Sequence, residues 1–179
     1  MHTNSRSLTE KGVAAQAEYT VENSPASQCI PPAPPITLFI AGLLQISMPG
    51  EHILIRAEFF RIERLVYMDG REHPQNGERT SQGHSIGWWE DDVLVIDTTN
   101  FADHRNGIGY GVPTGAQKHL VERYELTEDG IQLKVEYVLD DPEYLQESAT
   151  GGIVLDHASN ETFMLSLCDP ETAQRWMFE

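Results

Sequence analysis

The sequence predicts an all-β fold, an antiparallel up-and-down barrel of lipocalin-like (calycin-like) type with a short N-terminal helix and a proline-rich strap. Three observations predict it. Apolar and polar residues alternate with a period of two through about eight segments after residue 36. Tight turns join many of them, among them Asp69-Gly70, Asp91-Asp92 and Glu128-Asp129-Gly130. No stretch carries the three- and four-residue apolar spacing of a long helix. A meander of this length closes into a barrel or folds into a sandwich, because an open sheet leaves a strand edge unpaired. The chain divides into residues 1–35, the helix and strap, and residues 36–179, one barrel domain with a ligand-sized interior.

The elements follow in order. "LTEKGVAAQAEYT" (8–20) is a short helical segment with Leu8 or Thr9 near its start, packing on the outside or capping one end. "NSPASQCIPPAPP" cannot be regular structure, because proline lacks a backbone donor and restricts the residue before it. In a compact domain it reads as an ordered strap. "HILIRAEFF" places Ile53, Ile55, Ala57 and Phe59 on one face, and "RIERLVYMDG" places Ile62, Arg64, Val66 and Met68 on one face. "HSIGWWE", "DVLVIDTTNF", "KHLVERYELT" and "IQLKVEYVLD" continue the alternation, and "GGIVLDHA" with "TFMLSLC" forms a last pair. Two polar, glycine-rich stretches, 71–83 and 102–117, exceed what hairpins need and lie at one end of the barrel, where a ligand would enter.

Composition excludes several function classes. Twenty-eight acidic against 12 basic residues leave a net charge of −16, which disfavours nucleic acid and anionic membrane surfaces. The longest apolar run, "ITLFIAGLLQI", is too short for membrane insertion. "MHTNSRSLTEKG" lacks the apolar core of a signal peptide, although a mature form would lack one too. Cys29 and Cys168 allow one bridge, or two free thiols in a reducing compartment.

Five residues are candidates for acid–base chemistry. His84 opens a strand after a long polar loop and shares a face with Ile86, Trp88 and Glu90. An imidazole there suits a general acid or base, or it merely holds a loop carbonyl. Asp97 shares a face with Val93 and Val95; inward it needs a partner or a proton, and outward it is only solvated. Glu122, on the face of Leu120 and Tyr124, is either a carboxylate with a raised pKa in an aromatic pocket or the structural partner of Arg64. His73 and His119 are supporting groups. Trp88, Trp89, Tyr124, Arg64, Asp103 and His104 are candidate ligand contacts, the last two from a glycine-rich loop that is otherwise simply solvated. No spacing concentrates metal ligands on one element, and no nucleophile elbow or phosphate-cradling loop is present. No metal and no cofactor is expected.

The blocks "LTEKGVAAQAEY", "CIPPAPP", "VYMDGREHP", "GHSIGWWEDDVLVIDTTNF" and "HLVERYEL…LDDPEYL" resemble, in order over residues 8–147, a bacterial family of uncharacterised proteins whose central pattern is close to GHSxGxWExDxLVxxTxxF. The resemblance covers His73, His84, Trp89, Glu90, Asp97, Glu122 and Arg123. It implies no activity; it does imply export to the periplasm and, with it, a Cys29–Cys168 bridge. The chain departs from the pattern at Arg61, where such sequences often carry a histidine, and in its last residues. Together these readings lead to an enzyme that uses a barrel pocket for cofactor-independent elimination, hydration, isomerisation or cyclisation. His84 would be the acid or base, and the substrate largely apolar or neutral. The alternative is a lipocalin-like carrier of a small hydrophobic or glycosidic ligand. The expected partner in either case is a small molecule; a homodimer is left open.

Overall fold

The computed structural model describes residues 8–40, 42–109, 111–171 and 173. Residues 1–7, the first part of the stretch that lacks the apolar core of a signal peptide, and residues 174–179, the last part of the divergent end, lie outside them. The chain is mostly β. Helix α1 (Glu10–Ala17) is followed, among the described residues, by ten strands: β1 (Leu44–Ser47), β2 (His52–Ala57), β3 (Ile62–Tyr67), β4 (His84–Glu90), β5 (Val93–Thr99), β6 (His104–Gly109), β7 (Val112–Thr114), β8 (His119–Leu126), β9 (Gln132–Asp140) and β10 (Ala149–Asp156). Eight form one curled sheet in the order β1-β2-β3-β4-β5-β8-β9-β10, a half barrel, while β6 and β7 make a separate ribbon.

Period-two alternation sets the two faces. Ile53, Ile55, Ala57, Ile62, Val66, Leu94, Ile96, Leu120, Tyr124, Val135, Tyr137 and Leu139 are all buried on the concave side. One apolar cluster fills the middle of the half barrel and includes Leu38, Ile55, Val66, Ile96, Tyr124 and Val135. A second, with Leu8, Phe101, Ile108, Leu139 and Tyr144, closes the end where α1 packs against β7. Helix α1 begins where expected, since the Thr9 side chain accepts from the Gly12 amide at 3.1 Å and caps it.

Four features differ from the sequence-based expectation. The sheet is not wholly antiparallel, because β3 and β4 pair in parallel through Val66–Ser85 and Tyr67–Ile86. Parallel neighbours need a crossover, which accounts for the length of the polar segment between them. The sheet is a half barrel with β1 and β10 as its edges, and among the described residues no ladder joins them. The last predicted hairpin is absent: β10 pairs with β9, and residues 161–169 carry no strand. That tail instead crosses the seam, where the Met164 and Ser166 amides bond to Glu58. Finally, Ile36–Phe39 is a 3-10 turn rather than a strand, and Phe59 leaves the inner face because β2 ends at Ala57 and Glu58 takes a helical backbone conformation.

The strap is ordered. Ile30, Pro31, Pro32 and Pro34 each offer a carbonyl to a side chain of the barrel: Asn106, His104, Gln82 and Lys118 respectively. Cys29 is bridged to Cys168, tying the strap to the tail. A cross-link between residues 139 positions apart restricts the unfolded chain and stabilises the fold by about 2–5 kcal/mol. No helix among the described residues is long and apolar enough to cross a membrane.

Candidate functional site

Strands β4, β5 and β8 are neighbours, and each carries polar side chains on both faces. On the concave face Arg64 of β3 is buried and donates Nε to Ser85 Oγ at 2.9 Å and Nη2 to Thr98 Oγ1 at 2.6 Å and Glu122 Oε2 at 2.5 Å. The Ser85 and Thr98 hydroxyls lie 2.9 Å apart, and Tyr124 OH donates to Glu122 Oε1 at 3.1 Å. Burial works against the guanidinium charge, but Glu122 and Tyr124 outweigh it and hold Arg64 above its ordinary value. Burial also pushes the Tyr124 phenol well up, with Glu122 adding to it. Glu122 is therefore the structural partner of Arg64, and the cluster is a sealed, mutually satisfied network.

The convex face of the same strands carries the histidines. His84 opens β4, Asp97 stands near the end of β5 and His119 opens β8. The pairings His84–Thr99 and Asp97–Val121 bring these ends side by side. His73 comes from the crossover between β3 and β4. Its loop is pinned: Asn100 donates to the Pro74 carbonyl at 2.9 Å, Arg79 donates to the Phe101 carbonyl at 3.1 Å, and Thr80 pairs with Phe101. Gly83, with φ of +71°, turns the chain into β4, where a Cβ would meet the Thr99 carbonyl at 2.7 Å. The result is a continuous chain of hydrogen bonds. His119 Nε2 lies 2.9 Å from Asp97 Oδ2, Asp97 Oδ1 lies 2.9 Å from His73 Nε2, and His73 Nδ1 lies 2.9 Å from His84 Nδ1.

The carboxylate orients the protons along this chain. Asp97 is acceptor only, so His119 and His73 each donate Nε2–H to it. A neutral His73 then has its lone pair at Nδ1, so His84 must donate Nδ1–H, and the His84 lone pair resides at Nε2. Asp97 is tuned downward: burial opposes its charge, but the hydrogen bonds and charge of His119 and then His73 win. The bond to Asp97 raises His119 against the effect of burial. His84 is lowered, chiefly by burial and then by His73 and Arg71. Tyr67 stacks on the His84 ring with centroids 5.1 Å apart and planes 25° from parallel. The Arg71 guanidinium lies 3.8 Å over the other ring centroid of this stack, that of Tyr67, and is paired with Asp69.

Four of the five sequence-selected acid–base residues thus converge, while Glu122 stands on the opposite face. Asp97 faces outward, yet it is held by two imidazoles rather than merely solvated. Trp88 and Trp89 are both exposed at the β4–β5 hairpin, and Trp88 Nε1 donates to Glu90 at 2.9 Å. Arg64 and Tyr124 are committed to Glu122. His104 donates Nε2 to the Pro31 carbonyl at 2.7 Å and Arg105 reaches Gln28 and Asn23, so that loop fastens the strap, and Asp103 is exposed beside it. Sequence reasoning missed Tyr67 and Arg71, although "VYMDGR" places both next to the crossover loop. It also missed Lys118, buried against the Pro34 carbonyl and the Phe101 ring and pushed by burial down to about 7. Extending the β8 alternation back one residue beyond His119 puts Lys118 on the inner face with Leu120 and Glu122. Among the described residues no group of three or more histidine, cysteine or carboxylate side chains is arranged to hold a metal ion.

A separate cavity of about 690 Å³ opens at the seam of the half barrel, between β1, the β8–β9 hairpin, the end of β10 and the tail. The relay and this cavity lie toward opposite ends of β8, at His119 and Leu126, about 23 Å apart along an extended strand. Comparison with known protein families, curated proteins and solved structures finds no match to this chain.

Proposed function

We propose that the protein is a cofactor-independent acid–base enzyme acting on a small, largely apolar or neutral molecule, with His84 as the catalytic base and conjugate acid. The observation that carries this reading is the unbroken chain His119–Asp97–His73–His84, which ends on a ring nitrogen with no hydrogen-bond partner among the described residues. His84 Nε2 takes a proton from the substrate, and its Nδ1 proton moves to His73 Nδ1. His73 then carries the positive charge beside the Asp97 carboxylate, which stabilises it. The reverse movement returns a proton to the product, so the cycle suits isomerisation, elimination, hydration or cyclisation. Asp97, His73 and His119 are positioning residues in this scheme, and Tyr67 fixes the ring plane. The lowered pKa keeps His84 neutral and ready to accept at neutral pH.

Solvent-deuterium incorporation into a panel of carbon acids and hydroxy compounds tests this without knowledge of the net reaction. The expected result is incorporation by the wild type that falls about 10²- to 10⁴-fold in His84→Gln. Equal rates in the two proteins, or none with any compound, would contradict the reading.

A second reading, a lipocalin-like carrier, is favoured by the seam cavity. Its volume of about 690 Å³ falls in the range of roughly 300–1,000 Å³ typical of small-molecule sites. Its walls are largely apolar, and they open where a closed barrel would seal. Export, which the family resemblance implies, fits either reading, as does the Cys29–Cys168 bridge, which suits an oxidising compartment.

A further inference from the structure

We propose that the seam cavity takes an amphiphile with an apolar body and a cationic head group, and discriminates against anionic amphiphiles such as fatty acids. The proposal rests on the carrier reading of the cavity and adds the class of ligand. The body of the site is defined by Leu38, Leu44, Ile46, Leu133, Leu155 and Phe163, and its floor is the apolar cluster of the half barrel. Leu126 and Ile131 stand at its rim with 63% and 59% of their surface exposed, an apolar patch open to solvent.

The charge around the cavity is of one sign. Among the described residues its lining includes Asp156, Glu161 and His157 and no lysine or arginine. Asp156 is oriented by Gln132, whose Nε2 donates to it at 2.8 Å. The cations of the adjoining strands are engaged elsewhere: Lys134 pairs with Glu136 at 2.9 Å and Arg56 with Glu63 at 2.7 Å. Neither Lys134 nor Arg56 is among the residues that line the cavity. A carboxylate head docked at the rim would meet two carboxylates with no compensating cation among the described lining residues, against a low-dielectric apolar wall and within the field of a chain of net charge −16. An ammonium head meets the complementary charge.

Titration calorimetry of the whole chain with decyltrimethylammonium, decanol and decanoate, below their micellar concentrations and at about pH 8 where imidazole is neutral, tests the proposal. At low salt the ammonium compound is expected to bind about tenfold or more tighter than decanoate, with the gap closing near 1 M salt. The double variant Asp156→Asn, Glu161→Gln should bring the two within about threefold while leaving decanol unchanged, since only the charge term is removed. Decanol binding without preference for the cation, or a preference that survives the double variant, overturns the proposal and leaves the carrier reading standing. Failure of all three to bind overturns both. A dimer in sedimentation that Leu126→Asp dissociates, with no probe bound, would assign this face to a second copy of the chain and also overturn it.

Discussion

The two faces of β4, β5 and β8 carry two polar networks built from neighbouring residues. Ser85 and Thr98 look inward and His84 and Asp97 look outward, so one residue step separates each structural group from a chemical one. The inner network is sealed, with Glu122 fully buried, and its guanidinium is held charged. The outer network keeps 20% exposure at His73 and Asp97 and 42% at His119. The difference teaches that burial decides the role. Full desolvation freezes charges into a scaffold, whereas partial cover shifts them while leaving protons free to move.

The largest expected effect tests the inner face. Glu122→Ala leaves Arg64 charged and unpaired in the core and should cost about 3–5 kcal/mol in urea unfolding. His84→Ala on the outer face should cost less than about 1 kcal/mol, as at other partly exposed positions. Comparable losses would erase the distinction between the faces. Next comes Asp97→Asn, which removes the negative charge and one of the two acceptor oxygens that hold His119 and His73. Histidine NMR titration should show His119 falling back toward its ordinary value, and turnover in any assay found should drop about tenfold or more. An unmoved His119 would show that Asp97 does not govern it.

A smaller effect lies in the pH dependence of stability. His84 is lowered in the fold, so the unfolded chain binds more protons there and this contribution to stability rises with pH, from the depressed folded value up to about 6.5. His119 is raised, so its contribution is fully present below about 6.5 and is lost as pH rises through the raised folded value. The two slopes oppose each other on either side of neutrality. Denaturation across pH 5–8 should therefore show stability that rises more steeply with pH in His119→Gln and falls more steeply in His84→Gln. Slopes identical to wild type in both variants would remove these groups from the linkage. Asp97 acts only in acid, where its stabilising contribution is lost as pH falls through its depressed folded value. The smallest effect is expected at the exposed tryptophans, where Trp88→Phe and Trp89→Phe should each stay within about 0.5 kcal/mol.

Much of this was legible in the sequence because strand alternation is a local signal. The inner sets Ile53-Ile55-Ala57, Ile62-Arg64-Val66 and Leu120-Glu122-Tyr124 follow from period two alone, as does the pairing of Arg64 with Glu122 as one of two alternatives. His84 at the rim of a strand and Asp97 in an apolar strand stood out for the same reason. What was not legible is long-range. Nothing local says that β3 and β4 run parallel, yet that crossover delivers His73 to His84. Closure was expected from strand count, whereas the tail, drawn across the seam by Glu58 and Cys29, occupies the place of a final hairpin. The grouping of Glu122 with the histidines failed because alternation gives faces but not which face is concave.

The central claim is the direction of the protons along the relay, and nitrogen-detected NMR of the imidazole rings at pH 7 tests it most directly. The account predicts a neutral His84 carrying its proton on Nδ1 and a His73 carrying its proton on Nε2, with Asp97→Asn disturbing the second. A His84 that is protonated at both nitrogens, or neutral with its proton on Nε2, would leave no base at the end of the chain and would contradict the account.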